Sequence, residues 1–95
     1  MFHSINAYTG ETLCRRPAQG YAEFAQELAA LKVRQQVFAR LGVTGRTALL
    51  QAFAERLAQN KERLAEMVCE EVGRCLHECR AELDKSVELL RYYVR

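Results

Sequence analysis

The 95 residues of this chain allow one small domain at most, and their composition is that of an ordinary globular protein. Hydrophobic residues make up 49%, charged residues 27%, and the net charge of +2 comes from interleaved acidic and basic residues. This excludes a basic stripe for nucleic acid and a polybasic membrane anchor. No apolar run approaches the ~20 residues that span a bilayer, and the N-terminus lacks a signal-peptide layout, so a cytoplasmic location with reduced cysteines is expected.

The first twenty residues predict an extended hairpin and a connector. Ile5–Leu13 is typical of two short extended runs around a turn, because Gly10 can take the positive φ of a tight turn and Asn6 suits a turn position. Cys14–Gly20, which holds the only proline, is predicted to be the connector. A lone two-stranded hairpin is barely stable in water, so this one needs another surface to lie on.

Residues 21–95 predict an array of four helices, each with apolar residues at helical spacing. The expected bounds are Tyr21–Leu41, Gly45–Gln59, Lys61–Val72 and Arg74–Arg95. The predicted inward stripes, in chain order, are Phe24, Leu28, Leu31 and Phe38, interrupted by Gln35; Leu49, Leu50, Phe53 and Leu57; Leu64, Met67, Val68 and Val72; and Leu76, Cys79, Leu83, Val87, Leu90 and Val94. The predicted fold is therefore mainly α, with a short N-terminal β-hairpin and four helices.

Short polar or flexible residues mark the breaks between these helices. Gly42 is predicted to end the first helix and Thr44 to cap the second, while Asn60 is a break and cap before the third. Gly73 fits the left-handed position that commonly ends a helix. Two charge pairs are spaced to interact along the surface of the fourth helix, Glu82–Lys85 and Glu88–Arg91.

Several segments, taken in order, resemble the N-terminal part of the aldehyde dehydrogenase superfamily. Asn6–Glu11 resembles the family's opening Asn-Pro-Ala-Thr-Gly-Glu turn, with alanine in place of proline. Phe38 precedes Arg46 by eight residues, which is similar to the family's tryptophan-to-arginine spacing. Glu71–Arg74 resembles Glu-Thr-Gly-Lys, and Arg91–Tyr93 resembles the aromatic end of the following helix.

The resemblance covers nearly the whole chain, and the short N-terminus together with Arg80–Ser86 is most similar to the succinate-semialdehyde dehydrogenase type. It implies oxidation of an aldehyde with NAD or NADP. A cysteine thiolate forms a thiohemiacetal, hydride passes to the nicotinamide, and a glutamate activates water against the thioester. An asparagine side chain and a backbone N–H hold the oxyanion.

In the family these groups, and the glycine-bearing loop that meets the coenzyme, lie beyond the stretch matched here. The resemblance therefore assigns no catalytic, cofactor-binding or metal-binding residue to this chain, and no cofactor held by this chain alone. Residues 1–20 are expected to be the hairpin and connector, and residues 21–95 an incomplete part of the cofactor-binding domain. The segment is expected to be inactive by itself.

Three cysteines and a histidine invite a zinc site, since thiolate and imidazole together suit that ion. They are Cys69, Cys75, His77 and Cys79. However, neither the spacing from Cys69 to Cys75 nor that from Cys75 to Cys79 is Cys-x-x-Cys, and Gly73 separates Cys69 from the others. Cys79 also lies on the apolar stripe, where a free thiol packs as a small hydrophobe. Incidental thiols are the favoured interpretation, and a metal-sensing protein is the weakest alternative.

A nucleophilic Cys75 is a second possibility, because the first turn of a helix can lower the pKa of a thiol. His77 is only two residues away and points to another side of the helix, and a nucleophile also needs a base, an orienting group and an oxyanion site. The acidic pairs Glu70–Glu71 and Glu78–Glu82 are typical of a solvated helix face, and the basic pair Arg15–Arg16 is too short for a nucleic-acid patch. Gly42 and Gly45 flank a helix junction and lack the preceding strand and the following Lys-Ser pair of a phosphate-binding loop.

The sequence leaves two functions open. The chain is either the N-terminal segment of an aldehyde dehydrogenase, whose exposed apolar faces lead to self-association or need a partner chain, or a stand-alone helical module. In the module, the stripe from Leu76 to Val94 pairs with a second copy or another helix. Helices that close on themselves at this length have a radius of gyration of ~12 Å. Neither function involves nucleic acid or a membrane.

Overall fold

The chain folds into a two-stranded hairpin followed by four helices, which confirms the predicted fold class. In the computed structural model, which describes residues 1–95, the strands are β1 (Phe2–Ile5) and β2 (Thr12–Arg16). The helices are α1 (Tyr21–Arg40), α2 (Gly42–Gln59), α3 (Lys61–Val72) and α4 (Leu76–Tyr93). None of the helices is both long enough and apolar enough to cross a bilayer.

The hairpin is longer than the sequence pattern indicated. β1 and β2 pair antiparallel, from Phe2 opposite Arg16 to Ile5 opposite Thr12, with an irregularity between Ser4 and Ile5. The prediction that Cys14–Gly20 is a connector was therefore wrong for its first three residues, which belong to β2. The strand ends immediately before Pro17, which has no N–H to donate to a ladder.

The turn between α1 and α2 is tighter than predicted. Gly42 has a φ of +73°, which reverses the chain so quickly that only Leu41 separates the two helices. α2 therefore begins three residues before the predicted Gly45. The prediction that Thr44 caps this helix was wrong, because Thr44 lies inside α2 and no side chain caps its N-terminus.

Two side chains cap the C-terminal ends of helices, where carbonyl groups lack partners within the helix. The Nη1 atom of Arg46 donates to the carbonyl oxygen of Ala39 at 2.9 Å, near the end of α1. The Nδ2 atom of Asn60 donates to the carbonyl oxygen of Arg56 at 2.8 Å. Asn60 is thus the predicted break, but its side chain caps the end of α2 and not the start of α3.

A small core lies between α2, α3 and α4. Its four buried residues are Ala54, Ala65, Cys79 and Val87. The stripe predicted on α4 is confirmed, since all of its other members are half-buried: Leu76, Leu83, Leu90 and Val94. Two of the four core residues are alanines, whose small size lets neighbouring helices approach closely.

The stripes predicted on the earlier helices are only partly covered. α1 has no buried residue, and most of the apolar side chains predicted to face inward are exposed: Phe24, Leu28, Leu31, Phe38, Leu49, Leu50, Phe53, Met67 and Val72. Three are half-buried, Leu57, Leu64 and Val68. The radius of gyration is 17.1 Å and the extents are 46 × 37 × 15 Å, so the helices form an open plate and do not close on themselves.

Candidate functional site

The junction of α3 and α4 is where the hairpin docks on the helices. Gly73 ends α3 with a φ of +79°, and its N–H donates to the carbonyl oxygen of Cys69 at 2.9 Å, as the predicted left-handed cap requires. The N–H of Ala7 donates to the carbonyl oxygen of Glu70 at 2.7 Å. A Cβ atom at position 73 would lie 3.0 Å from that of Ala7, so the close approach also favours glycine.

The hairpin turn is held by Asn6, the residue that the sequence placed at a turn. Its Oδ1 atom accepts from the N–H groups of Tyr8, at 2.8 Å, and Thr9, at 3.1 Å. Its carbonyl oxygen accepts from the N–H of Gly10 at 2.9 Å, and its own N–H donates to the carbonyl oxygen of Glu11 at 2.8 Å. These bonds fix the loop that carries Tyr8 to the junction.

Tyr8 is the junction residue that the sequence analysis missed. Its hydroxyl donates to the carbonyl oxygen of Arg74 at 3.0 Å and lies 3.8 Å from the Sγ atom of Cys69. The hydrogen bond with Cys69 raises the pKa of the Tyr8 phenol. Beside it, Ser4 donates from its hydroxyl to the carboxylate of Glu71. These partners are more than sixty residues apart, so no local pattern could have paired them.

The four cysteines have different environments, and all are free thiols. Cys14 and Cys75 are exposed, Cys69 is half-buried, and Cys79 is fully buried. The Sγ atom of Cys79 donates to the carbonyl oxygen of Arg74 at 3.9 Å. Burial raises the pKa of the Cys79 thiol above its ordinary value.

The geometry supports neither of the two reactive sites considered for these cysteines. Cys75 precedes α4 as its N-cap residue and not in its first turn, and both Cys75 and His77 are exposed. No group of three or more histidine, cysteine or acidic side chains is placed to hold a metal ion. The arrangement at the junction joins the hairpin to the helices.

Two ion pairs connect the start of α3 to α4, and two others join Arg74, at the junction, to α4. Lys61 lies 2.7 Å from Asp84, and Arg80 pairs with Glu62, which lowers the pKa of that carboxyl group. Arg74 pairs with two acidic residues of α4, Glu78 at 3.5 Å and Glu82. The pairing predicted for Glu82 with Lys85 is thus replaced by one with Arg74, and Glu88–Arg91 does not form a salt bridge either. Exposed ion pairs of this kind each contribute little to the stability of the fold.

Exposed apolar side chains line one side of α1 and the middle of α2. We define the α1–α2 face by the exposed side chains that the two helices contribute to it: Phe24, Leu28, Leu31, Phe38, Leu49, Leu50 and Phe53. Their exposed fractions run from 36% to 56%. Large apolar side chains left exposed in this number indicate an interaction site.

The accessible surface measures how much of the chain is uncovered. The molecule exposes 7799 Å². A compact monomer of its mass, 10.9 kDa, exposes about 5,600 Å², so this chain has about 2,200 Å² in excess. A specific interface of standard size covers about 800 Å² on each side, transient encounters cover less, and obligate interfaces cover more. The excess is therefore of the size that a permanent structural neighbour covers.

Comparisons with known proteins identify the family of this chain. A family model described as "Aldehyde dehydrogenase family" matches residues 1–95. The chain belongs to the aldehyde dehydrogenase family. The resemblance seen in the sequence is thus confirmed at the level of the superfamily.

Curated aldehyde dehydrogenases show how much of the family's length this chain represents. The malonate-semialdehyde dehydrogenase of Listeria monocytogenes serotype 4b is 32% identical over 88 residues, which are 93% of this chain and 18% of that protein. The NADP(+) succinate-semialdehyde dehydrogenase of Deinococcus radiodurans is 30% identical over 95 residues, 97% of this chain and 19% of that protein. The chain thus spans about a fifth of the length of the aldehyde dehydrogenases that it matches.

A solved dehydrogenase structure has the same fold over this stretch. The glyceraldehyde-3-phosphate dehydrogenase GapN of Methanocaldococcus jannaschii, crystallised with NADP, superposes with a TM-score of 0.92. The match covers 99% of this chain and 21% of GapN, at 22% sequence identity. The hairpin and four helices are therefore a recognisable unit of a larger dehydrogenase fold.

Proposed function

We propose that this chain is the N-terminal segment of an NAD(P)-dependent semialdehyde dehydrogenase, in which its four helices cover the sheet of the coenzyme-binding domain. The single observation that carries the proposal is the uncovered α1–α2 face, in a chain that matches the family along its whole length. An apolar helix face of this kind is stable in water only when another element packs on it.

The excess exposed surface indicates the area of the interface with the covering partner. About 2,200 Å² of extra exposure corresponds to an obligate interface and not to a transient encounter. The proposed partner is therefore the remaining part of the dehydrogenase, whether joined to this chain or supplied by another. When the isolated chain has no such partner, it self-associates through the same face.

The proposed substrate class is a short semialdehyde that carries a carboxylate. Its support is the names of the relatives, one of which acts on malonate semialdehyde and the other on succinate semialdehyde. The succinate type indicated by Arg80–Ser86 stays part of this proposal. The proposed coenzyme is NAD or NADP, and NADP appears in the names of the Deinococcus relative and of the GapN complex.

The proposal assigns no catalytic or coenzyme-binding group to residues 1–95, so the chain by itself is inactive. The cysteine, glutamate and asparagine implied by the resemblance belong to the larger enzyme. We also propose a cytoplasmic location, which the four free thiols support because reducing compartments keep cysteines unpaired.

The alternative, a stand-alone dimerisation module, has less support. It required the α4 stripe to pair with a second copy. That stripe is already packed within the chain, with Cys79 and Val87 buried against the neighbouring helices. The α1–α2 face, in contrast, is not packed against other elements of the chain.

An activity assay tests whether the chain is inactive alone. The purified chain is mixed with malonate or succinate semialdehyde and with NAD or NADP, and formation of the reduced coenzyme is followed by absorbance. We expect no turnover above that of a heat-denatured sample. Turnover that scales with the concentration of the chain would overturn the proposal.

A complementation experiment tests the covering role. A form of the Deinococcus enzyme without the segment aligned to this chain is expressed with and without the chain, and the soluble complex is isolated. We expect a one-to-one complex that Leu31→Asp, on the α1–α2 face, abolishes. The matched control is Gln26→Asp, which puts the same charge on the opposite side of α1 and should leave the complex intact. Equal behaviour of the two variants would contradict the proposed face.

A further inference from the structure

We infer that the outer edge of β2, on the side away from β1, binds an extended strand that carries acidic side chains beside Arg15 and Arg16. That strand belongs to the part of the dehydrogenase outside these 95 residues. The inference rests on the proposed function, because it assigns one part of the contact between this chain and its covering partner.

The backbone of β2 has hydrogen-bonding groups that the chain leaves unused. In an antiparallel pair, the N–H and C=O groups of successive residues point alternately toward the partner strand and away from it. The sheet has two strands, so β2 pairs with β1 alone. No backbone hydrogen bond joins Thr12–Arg16 to an element outside the hairpin. The outward groups of β2 therefore form an open edge, to which an extended segment can add as a further strand.

The open edge of β2 is less covered than β1. All five residues of β2 are exposed. β1, in contrast, lies against α3, because Ser4 is half-buried and donates from its hydroxyl to the carboxylate of Glu71. The N–H of Ala7, directly after β1, bonds to the carbonyl oxygen of Glu70 on the same helix. A new strand is therefore expected at β2.

The hairpin has too little cover to be stable on its own. Two strands are marginal in water, and independent stability takes a third strand or more packing against a helix. Its large apolar side chains are exposed, Phe2 by 69%, Ile5 by 49% and Leu13 by 40%. The fold shared with GapN is only 21% of that chain, so most of the dehydrogenase lies outside the matched stretch. That remainder is the proposed source of the added strand.

The charge at the end of β2 selects the kind of strand. Neither Arg15 nor Arg16 forms an ion pair, and neither strand of the hairpin contains an acidic residue. Successive side chains of a strand point to opposite faces, so the two guanidinium groups flank the edge on both faces. A second copy of β2 would bring two more arginines into the same sheet, and like charges on neighbouring strands are destabilising. Carboxylates on the added strand pair with both arginines, which favours an acidic segment over a second copy.

Amide hydrogen exchange in the complementation complex tests the added strand. Exchange at residues 14–16 is measured in the free chain and in the complex with the shortened Deinococcus enzyme. We expect the inward amides to be protected by β1 in both samples. The outward amides should exchange rapidly in the free chain and about tenfold or more slowly in the complex. The amide of Ala7 is the control, since its protection reports that the hairpin stays docked.

Charge reversal tests the acidic partner in the same complex. The double variant Arg15→Glu/Arg16→Glu should raise the Kd of the complex by about fourfold or more, because it replaces two attractive cross-strand pairs by repulsive ones. The matched control is Arg63→Glu/Lys85→Glu, which reverses two exposed cations that form no ion pair on α3 and α4. The control should change the Kd less than about twofold.

The outcomes separate this inference from the proposed function. A complex that forms while the outward amides of β2 exchange as fast as in the free chain would overturn the strand addition alone. Equal weakening by the two double variants would overturn the acidic partner. Failure of any complex to form would refute the covering role itself, and the strand addition with it.

Discussion

Replacement of Gly73 by alanine perturbs the docking of the hairpin in two ways at once. Position 73 has a φ of +79°, which an L-residue adopts at a cost of about 1–2 kcal/mol. The added Cβ atom would also lie 3.0 Å from the Cβ atom of Ala7, closer than such atoms normally approach. The hairpin must therefore shift, and the bond from the N–H of Ala7 to Glu70, now 2.7 Å long, is weakened.

The conformational cost at position 73 alone gives a lower bound for the weakening of hairpin docking. A loss of about 1–2 kcal/mol corresponds to a factor of about 5–30 in the equilibrium between docked and undocked hairpin. Amide hydrogen exchange at position 7 reports this equilibrium directly, because that N–H is protected by its bond to Glu70. We expect Gly73→Ala to lower the protection factor at position 7 by at least this factor.

A double-mutant cycle separates the steric part from the conformational part. Adding Ala7→Gly to Gly73→Ala removes the close contact and should recover part of the protection. The matched control is Gly10→Ala, because position 10 has a nearly equal φ of +78° but nothing within 4 Å of its added Cβ atom. Ala7→Gly should recover nothing in that background. Unchanged protection in Gly73→Ala, or equal recovery in both backgrounds, would refute the reasoning.

Three further predictions concern the small core and its charged rim. Val87→Ala, at a site only 6% exposed, should cost about 1–2 kcal/mol in the free energy of unfolding measured by urea titration, whereas Val33→Ala, at 62% exposure, should be nearly neutral. Iodoacetamide should alkylate the exposed Cys14 much faster than Cys79, because Cys79 is buried and its pKa is raised by burial. Mass spectrometry measures the two alkylation rates, and equal rates would show that the core does not form. The pKa of Glu62 is lowered by its hydrogen bond with a guanidinium on α4, so this bond stabilises the fold above the ordinary carboxyl pKa and is lost as pH falls through the lowered value. Glu62→Gln should therefore flatten the acid limb of a stability–pH curve, and a limb as steep as in the unchanged chain would contradict this.

Local chemistry was enough to predict the elements whose partners are close in sequence. The three- and four-residue spacing on α4 identified the side chains that pack in the core, because one helix presents them all on one side. Gly73 and Asn6 were identified for similar reasons, since a left-handed cap and a turn depend on the residue itself and its nearest neighbours.

Long-range contacts could not be predicted in this way. Tyr8 reaches Arg74 across the chain, and nothing near either residue indicates the other. The buried alanines were missed because the pattern search weights large side chains, whereas close helix packing favours small ones: Ala54 and Ala65 are both fully buried. On α1, the pattern correctly reported an apolar stripe. An apolar stripe indicates that another element packs on the helix, but it does not indicate whether that element belongs to these 95 residues.

The central claim is that the α1–α2 face needs a partner that these residues do not supply. Size-exclusion chromatography of the isolated chain, with light scattering and small-angle X-ray scattering on the eluting peak, tests it directly. We expect polydisperse assemblies whose mass grows with concentration and falls in Leu31→Asp but not in Gln26→Asp. A monodisperse monomer with a radius of gyration of ~12 Å, well below the 17.1 Å of the open plate, would contradict the account.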